Sequence, residues 1–127
     1  MAQHNDIGRL GEEIATQFLL NKGFKIVDRN YLQKSGEIDI VAVYKGKTHF
    51  IEVKSVSCDL RNVSRENLPL PEENVTREKL RRLRNVVTEY MLRKRVEDWT
   101  FDVCAVFIDR TTKKAKVRFL ENELLPE

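Results

Sequence analysis

The sequence predicts an α/β layered domain with a mixed sheet, in the order α-β-β-β-α-β-β, and three observations carry that expectation. Helical periodicity over residues 8–21 and 76–95 is separated by stretches rich in β-branched and aromatic residues. Lys45-Gly46 sits between two such stretches and marks a hairpin. Phe101 to Asp109 reads FDVCAVFID, an apolar run typical of a strand covered on both faces. The helix over 76–95 is long enough to cross over the sheet and set strand 101–109 parallel to strand 48–54. With 127 residues, a single domain over 1–127 is expected.

Taken in order, Gly8 to Asn21 places Leu10, Ile14, Ala15, Phe18 and Leu19 at helical spacing, with Asp6 as N-cap and Gly23 as terminator. Phe24 to Tyr31 reads as a strand. Glu37–Tyr44 and Thr48–Lys54 form the hairpin, because Gly46 can supply a positive φ. Ser57 to Asn74 is polar, contains Pro69 and Pro71, and reads as a long loop of functional interest. Asn74 or Thr76 caps a second helix whose apolar stripe is Leu80, Leu83, Val87, Tyr90 and Met91. Lys116 to Leu120 completes the sheet.

Composition narrows the function classes. Hydrophobic residues make up 41% and charged residues 34% of the chain, a globular mix. No apolar run approaches the roughly 20 residues that span a bilayer, and no secretory pattern opens the chain, so a cytoplasmic location is expected. Two cysteines, Cys58 and Cys104, are too few for a disulfide framework or a four-cysteine zinc site. The net charge of +3 is unevenly spread: residues 75–96 hold eight basic and two acidic side chains. That segment suits a polyanion, or forms a solvated helix face.

The hairpin gathers the chemistry. A two-residue turn at Lys45-Gly46 puts Asp39 opposite Glu52 and Glu37 opposite Lys54. Directly opposed residues share a face, with Cβ atoms roughly 4.5–5.5 Å apart. Alternation brings Glu52 and Lys54 to that same face. Carboxylates so placed repel unless a cation compensates. Mg²⁺ meets that need with one or two carboxylates plus water and phosphate, which points to metal-assisted phosphodiester hydrolysis. The plainer alternative is a cross-strand ion pair of Glu37 with Lys54 on a solvated face.

These residues carry a family resemblance. Gly36-Glu37-Ile38-Asp39 followed by Glu52-Val53-Lys54 resembles the PD-(D/E)xK nuclease superfamily, with Ile38 where that motif has proline. The chain more closely resembles the YraN-like family of small, uncharacterised bacterial proteins. The match rests on Gly8–Ala15 (G-x-x-G-E-x-x-A), Gly36–Ile40, Phe50–Lys54, Pro71–Lys79 and Phe101–Val103. The resemblance implies a restriction endonuclease-like three-layer α/β/α domain and a Mg²⁺- or Mn²⁺-dependent endonuclease. It implies Asp39 and Glu52 as metal ligands and Lys54 as the catalytic lysine. In the related Holliday-junction resolvases a glutamate on the first helix completes the site; here that is Glu12, with Glu13 the less favoured neighbour. Asp102, in the F-D-V element, either supports the site, as Glu37 could, or caps its strand.

Arg77, Arg81, Arg84 and Arg95 fall on one flank of the second helix at 100° per residue and suit phosphate contacts. Nucleic acid is the expected partner, DNA ahead of RNA, and a homodimer would supply two cuts on a duplex. Two other readings stand beside the enzyme: a non-catalytic nucleic-acid-binding module, and a domain that meets an acidic protein through its basic helix. His49 alternates away from Glu52 and reads as structural, and Cys104 as a buried small hydrophobe.

Overall fold

A computed structural model describes residues 3–62 and 76–123. Helix α1 (Gln3–Asn21) is followed by β1 (Lys25–Gln33), β2 (Gly36–Tyr44) and β3 (Lys47–Ser57). A single 3-10 turn (Leu60–Asn62) precedes α2 (Arg77–Lys94), β4 (Trp99–Asp109) and β5 (Lys114–Leu120). The strands lie in sequence order across one five-stranded sheet. All neighbours are antiparallel except β3 and β4, which α2 connects as a parallel pair. The two helices cover opposite faces of the sheet, so the architecture is the three-layer α/β/α one with a mixed sheet. No helix among the described residues is long and apolar enough to cross a membrane.

Each face has its own core. On the α1 side Ala15 and Leu19 pack with Ile40, Ala42, Ile51 and Cys104; on the α2 side Leu83, Val86, Val87 and Tyr90 pack with Ile38, Val41 and Phe50. Each fully buried aliphatic side chain contributes about 1.5–3 kcal/mol. β4 feeds both cores, which explains its unbroken apolar run: Phe101 and Val103 face α2, Cys104 and Val106 face α1. Burial pushes the Cys104 thiol up to about 12, so it packs as an inert hydrophobe.

Local details depart from the sequence reading. α1 begins at Gln3, so Asp6 lies inside the helix and pairs with Arg9 at 3.5 Å instead of capping it. Leu10 is exposed, because helix–sheet contact falls on Ala15 and Leu19 one and two turns later. In α2, Val86 joins the buried stripe while Leu80 and Met91 are only half-buried. Thr76 is the cap, its Oγ1 accepting from Lys79 N at 3.1 Å. β3 continues past Lys54 to Ser57 because parallel pairing with β4 persists to Ile108. The remainder of the long loop, residues 63–75, lies outside the described residues.

The hairpin turn has positive φ at both Lys45 (49°) and Gly46 (82°), as a type I′ turn requires. It fixes the expected register, Tyr44 opposite Lys47 through Ile40 opposite Ile51. The ladder then stops. Asp39 pairs with neither neighbouring strand, and its Oδ2 accepts Val53 N–H at 2.8 Å in place of a main-chain partner. Strict alternation breaks at that residue, since Ile38 faces α2 while Ile40 faces α1. For the same reason the expected Glu37–Lys54 opposition does not form: the strands have parted before Glu37.

Candidate active-site cleft

Where β2 leaves β3, a cleft of about 920 Å³ opens at the end of the sheet between the N-terminal halves of the two helices. Asp39, Glu52, Lys54 and Glu12 all line it. The break in β2 turns Asp39 toward β3, where its carboxyl lies within hydrogen-bonding reach of Glu52. Glu52 is buried, and Lys54 is half-buried two residues further along the same strand. Burial raises the Asp39 carboxyl to about 9, and the adjoining Glu52, with Glu12 at longer range, pushes the same way against the Val53 N–H. The Asp39 carboxyl therefore keeps its proton at neutral pH when no metal ion is bound beside it.

Glu12 reaches the cleft because α1 packs tightly on β3. Gly11 lies against Ser55, so closely that a Cβ there would fall 1.7 Å from Ser55 Oγ and 2.8 Å from its Cβ. That contact brings the adjacent Glu12 over the strand end. Glu13 is exposed and pairs instead with Arg29 at 2.9 Å, whereas the same guanidinium is 4.0 Å from Glu12. The structure thus places Glu12, and not Glu13, at the carboxylates.

The cleft contains a cation that the sequence reading did not single out. Lys79 Nζ stands 3.4 Å from Glu52 Oε2, reaching down from the first turn of α2. It also adjoins Lys54. Burial and the neighbouring Lys79 lower the Lys54 ammonium below its usual range. Burial acts on Lys79 in the same sense, but Lys54, Glu52 and Asp39 outweigh it and raise the group. The available signal was the buried stripe: Lys79 precedes Leu83 by one turn, on the edge of the face that packs on the sheet.

The arginine flank lies elsewhere. Arg77 and Arg81 are exposed and, with Arg84, are absent from the cleft lining, where α2 contributes Thr76, Glu78, Lys79, Arg82 and Leu83. Arg95 leaves the helical repeat altogether as the C-cap, with φ 54°. Glu37 lines the outer wall and is exposed. Asp102 is not brought to the cleft; it is buried against His49 on the α1 side. His49 does face away from Glu52, as alternation requires.

The donor chemistry of the cleft suits a hard divalent ion. Two adjacent carboxylates line the open cleft, and Mg²⁺ typically uses one or two carboxylates and completes its shell with water and phosphate. No cluster of three His, Cys, Asp or Glu side chains is poised as a ligand set among the described residues. Asp39 and Glu52 are therefore the pair that would hold the ion, with Glu12 adding negative charge nearby.

Comparison with known proteins is consistent along the chain. A model of the Uncharacterised protein family UPF0102 matches residues 11–106, which include Glu12, Asp39, Glu52, Lys54 and Lys79. A UPF0102 protein of Sulfurovum sp. (strain NBC37-1) is 40% identical over 119 residues, covering 93% of each chain. One from Helicobacter pylori (strain HPAG1) is 38% identical over 121 residues, covering 94% of this chain and 92% of its own. One from Alkaliphilus oremlandii (strain OhILAs) is 34% identical over 118 residues, covering 91% of this chain and 95% of its own. The chain belongs to the uncharacterised protein family UPF0102, the YraN-like family its motifs resemble.

Proposed function

We propose that this protein binds nucleic acid and hydrolyses its phosphodiester bonds with Mg²⁺ or Mn²⁺. The observation that carries the reading is the convergence of Asp39, Glu52 and Lys54 with Glu12 and Lys79 on one open cleft. The resemblance of the G-E-I-D and E-V-K elements to the PD-(D/E)xK nucleases supports it. DNA is the first substrate class, ahead of RNA, because the resemblance runs toward junction resolvases.

In this reading Asp39 and Glu52 hold the cation, and Glu12 strengthens the negative field that retains it. The bound ion supplies Lewis acidity at the scissile phosphate and makes water a better nucleophile. Lys54 orients the attacking water or donates to the phosphate oxygens as negative charge grows on them. Lys79 neutralises Glu52 in the empty cleft and turns to phosphate when a backbone enters. Arg82, on the cleft wall, adds a further phosphate contact, and the Arg77–Arg81–Arg84 flank extends the basic surface beyond the cleft. Water adds to phosphorus, the ester P–O bond breaks, and the leaving oxygen takes up a proton.

The test is incubation of the purified chain with duplex, branched and single-stranded DNA, and with RNA, in Mg²⁺, Mn²⁺ or EDTA. Metal-dependent cleavage of any of these supports the reading; binding without cleavage in either metal contradicts it. The second outcome fits a non-catalytic nucleic-acid-binding module. The Lys79–Glu52 ion pair favours that alternative, since it already compensates one of the two ligand carboxylates.

A further inference from the structure

A second cavity, of about 550 Å³, opens on the α1 side of the sheet, at the end of β3 away from Lys54. It is bounded by the last turns of α1, the β2–β3 turn and the start of β3. The mechanism above uses none of its residues.

His49 lines this cavity, although only 4% of the residue is exposed. Its Nδ1 is bonded to Asp102 Oδ2 at 2.5 Å, and Asp102 is itself fully buried. The other carboxylate oxygen accepts from Thr100 Oγ1 at 3.1 Å and from Asn122 N at 3.0 Å. The carboxylate orients the ring: in the neutral imidazole Nδ1–H donates to Asp102, which makes Nε2 the acceptor that faces away from the pair. Among the described residues the ring's one hydrogen bond is the Nδ1 bond to Asp102. Burying two ionisable side chains is expensive, and an apolar pair of similar volume would serve packing at least as well. What this pair provides, and an apolar pair would not, is one oriented acceptor at the base of a pocket.

The walls are aromatic. Phe24 meets the His49 ring edge-on at 4.9 Å and stacks on Tyr44 at 4.7 Å, while Phe119 meets Phe24 at 5.8 Å. The rim is basic. Lys22 sits over the Phe18 ring at 5.5 Å, Lys45 over the Tyr44 ring at 5.3 Å, and Lys47 adds a third cation against the acids Asp98 and Glu121. A flat apolar wall, an oriented acceptor and a lysine rim call for a ligand with a planar ring, a hydroxyl or amino donor, and an anionic end. Its volume is in the range of small-molecule sites, roughly 300–1,000 Å³.

We propose that the cavity lined by Phe24, Tyr44 and His49 binds a phosphorylated nucleoside, with its base on the aromatic wall and its phosphate toward Lys45 and Lys47. Nε2 of His49 accepts from the sugar hydroxyl or the base amino group. The ligand is a free mononucleotide or the terminal nucleotide of a strand, which share this chemistry. The proposal holds whether or not the distant cleft cleaves phosphodiesters.

The test uses the full chain with ¹⁵N-labelled histidine in EDTA, so that no cation occupies the Asp39–Glu52 cleft. AMP, adenosine, inorganic phosphate and a 5′-phosphorylated hexanucleotide are titrated while the His49 Nε2 resonance is followed. AMP or the hexanucleotide is expected to shift that resonance saturably, more tightly than adenosine or phosphate alone. Whichever of the two binds more tightly identifies the source. Lys45→Glu with Lys47→Glu, both on the rim, should weaken binding at least tenfold at a temperature where melting shows the variant folded, and Asp39→Asn should leave it intact. A His49 resonance unmoved by every ligand overturns the proposal. So does binding that survives lysine reversal, or that is lost in Asp39→Asn.

Discussion

Lys79 Nζ lies 3.4 Å from Glu52 Oε2, so the first turn of α2 delivers a cation to a carboxylate that β3 buries. The Thr76 cap fixes that turn by accepting the backbone N–H of Lys79 itself. Cap, helix start and site are thus one unit, and three residues of sequence join the folding of α2 to the electrostatics of the cleft.

Replacing Lys79 with alanine should lower phosphodiester cleavage by about 10²-fold, the scale for losing one charged donor to a developing oxyanion. The fold should survive, because the lysine is solvent-accessible. Thr76→Ala should lower stability by about 1 kcal/mol through the lost cap and reduce cleavage less than Lys79→Ala does. Melting curves and cleavage rates on the same preparations check both; equal rates for Lys79→Ala and the parent chain would contradict the role.

The Asp39 carboxyl, pushed up to about 9 from 3.8 by burial and by Glu52, makes stability depend on pH. Between those values the folded chain keeps a proton that the unfolded chain has released. Unfolding therefore releases that proton, and the contribution, fully present below 3.8, is lost as pH rises toward about 9. In EDTA, melting temperature should fall with pH across this window more steeply for the parent chain than for Asp39→Asn. Mg²⁺ at pH 8 should restore the parent and not the variant. Parallel pH profiles for the two proteins would refute this account of the carboxyl pair.

Gly11→Ala should destabilise the chain by about 1–3 kcal/mol, even though alanine is the better helix former. The added Cβ meets Ser55 Oγ at 1.7 Å and Ser55 Cβ at 2.8 Å, so α1 must lift from β3 and carry Glu12 with it. Ser55→Ala removes the first contact but not the second and should rescue only part of the loss. Denaturant unfolding of the two single variants and the double variant reads this directly, and additive effects would contradict the clash.

His49→Ala should cost about 3–5 kcal/mol, because it strips a partner from the fully buried Asp102. The cleft lies at the other end of β3, so whatever cleavage the parent shows should persist at temperatures where the variant is folded. A variant as stable as the parent would show that the pair carries no structural load.

What the sequence made legible follows from how local each feature is. The register of β2 on β3 was readable because a two-residue turn at Lys45-Gly46 fixes which residues face each other. The parallel pairing of β3 and β4 was readable because a helix of that length between strands imposes a crossover. The break at Asp39 was not, since it depends on a side chain replacing a main-chain acceptor at Val53. Glu12 came only from family resemblance, because what places it is the approach of Gly11 to Ser55, 44 positions away in sequence. The basic helix was correctly seen as basic, but its densest arginine flank, Arg77, Arg81 and Arg84, is not the flank that meets the cleft. Packing chose the face that carries Lys79 and Arg82, and packing is set by Leu83, Val86, Val87 and Tyr90.

The central claim is that Asp39 and Lys54 serve chemistry at this cleft and not merely binding. Side-by-side measurement of nucleic-acid binding and metal-dependent cleavage by the parent chain, Asp39→Ala and Lys54→Ala tests it most directly. The account predicts that all three bind with similar affinity in EDTA and that only the parent cleaves in Mg²⁺ or Mn²⁺. Cleavage that persists in both variants, or a parent chain that binds every substrate and cuts none, would contradict it.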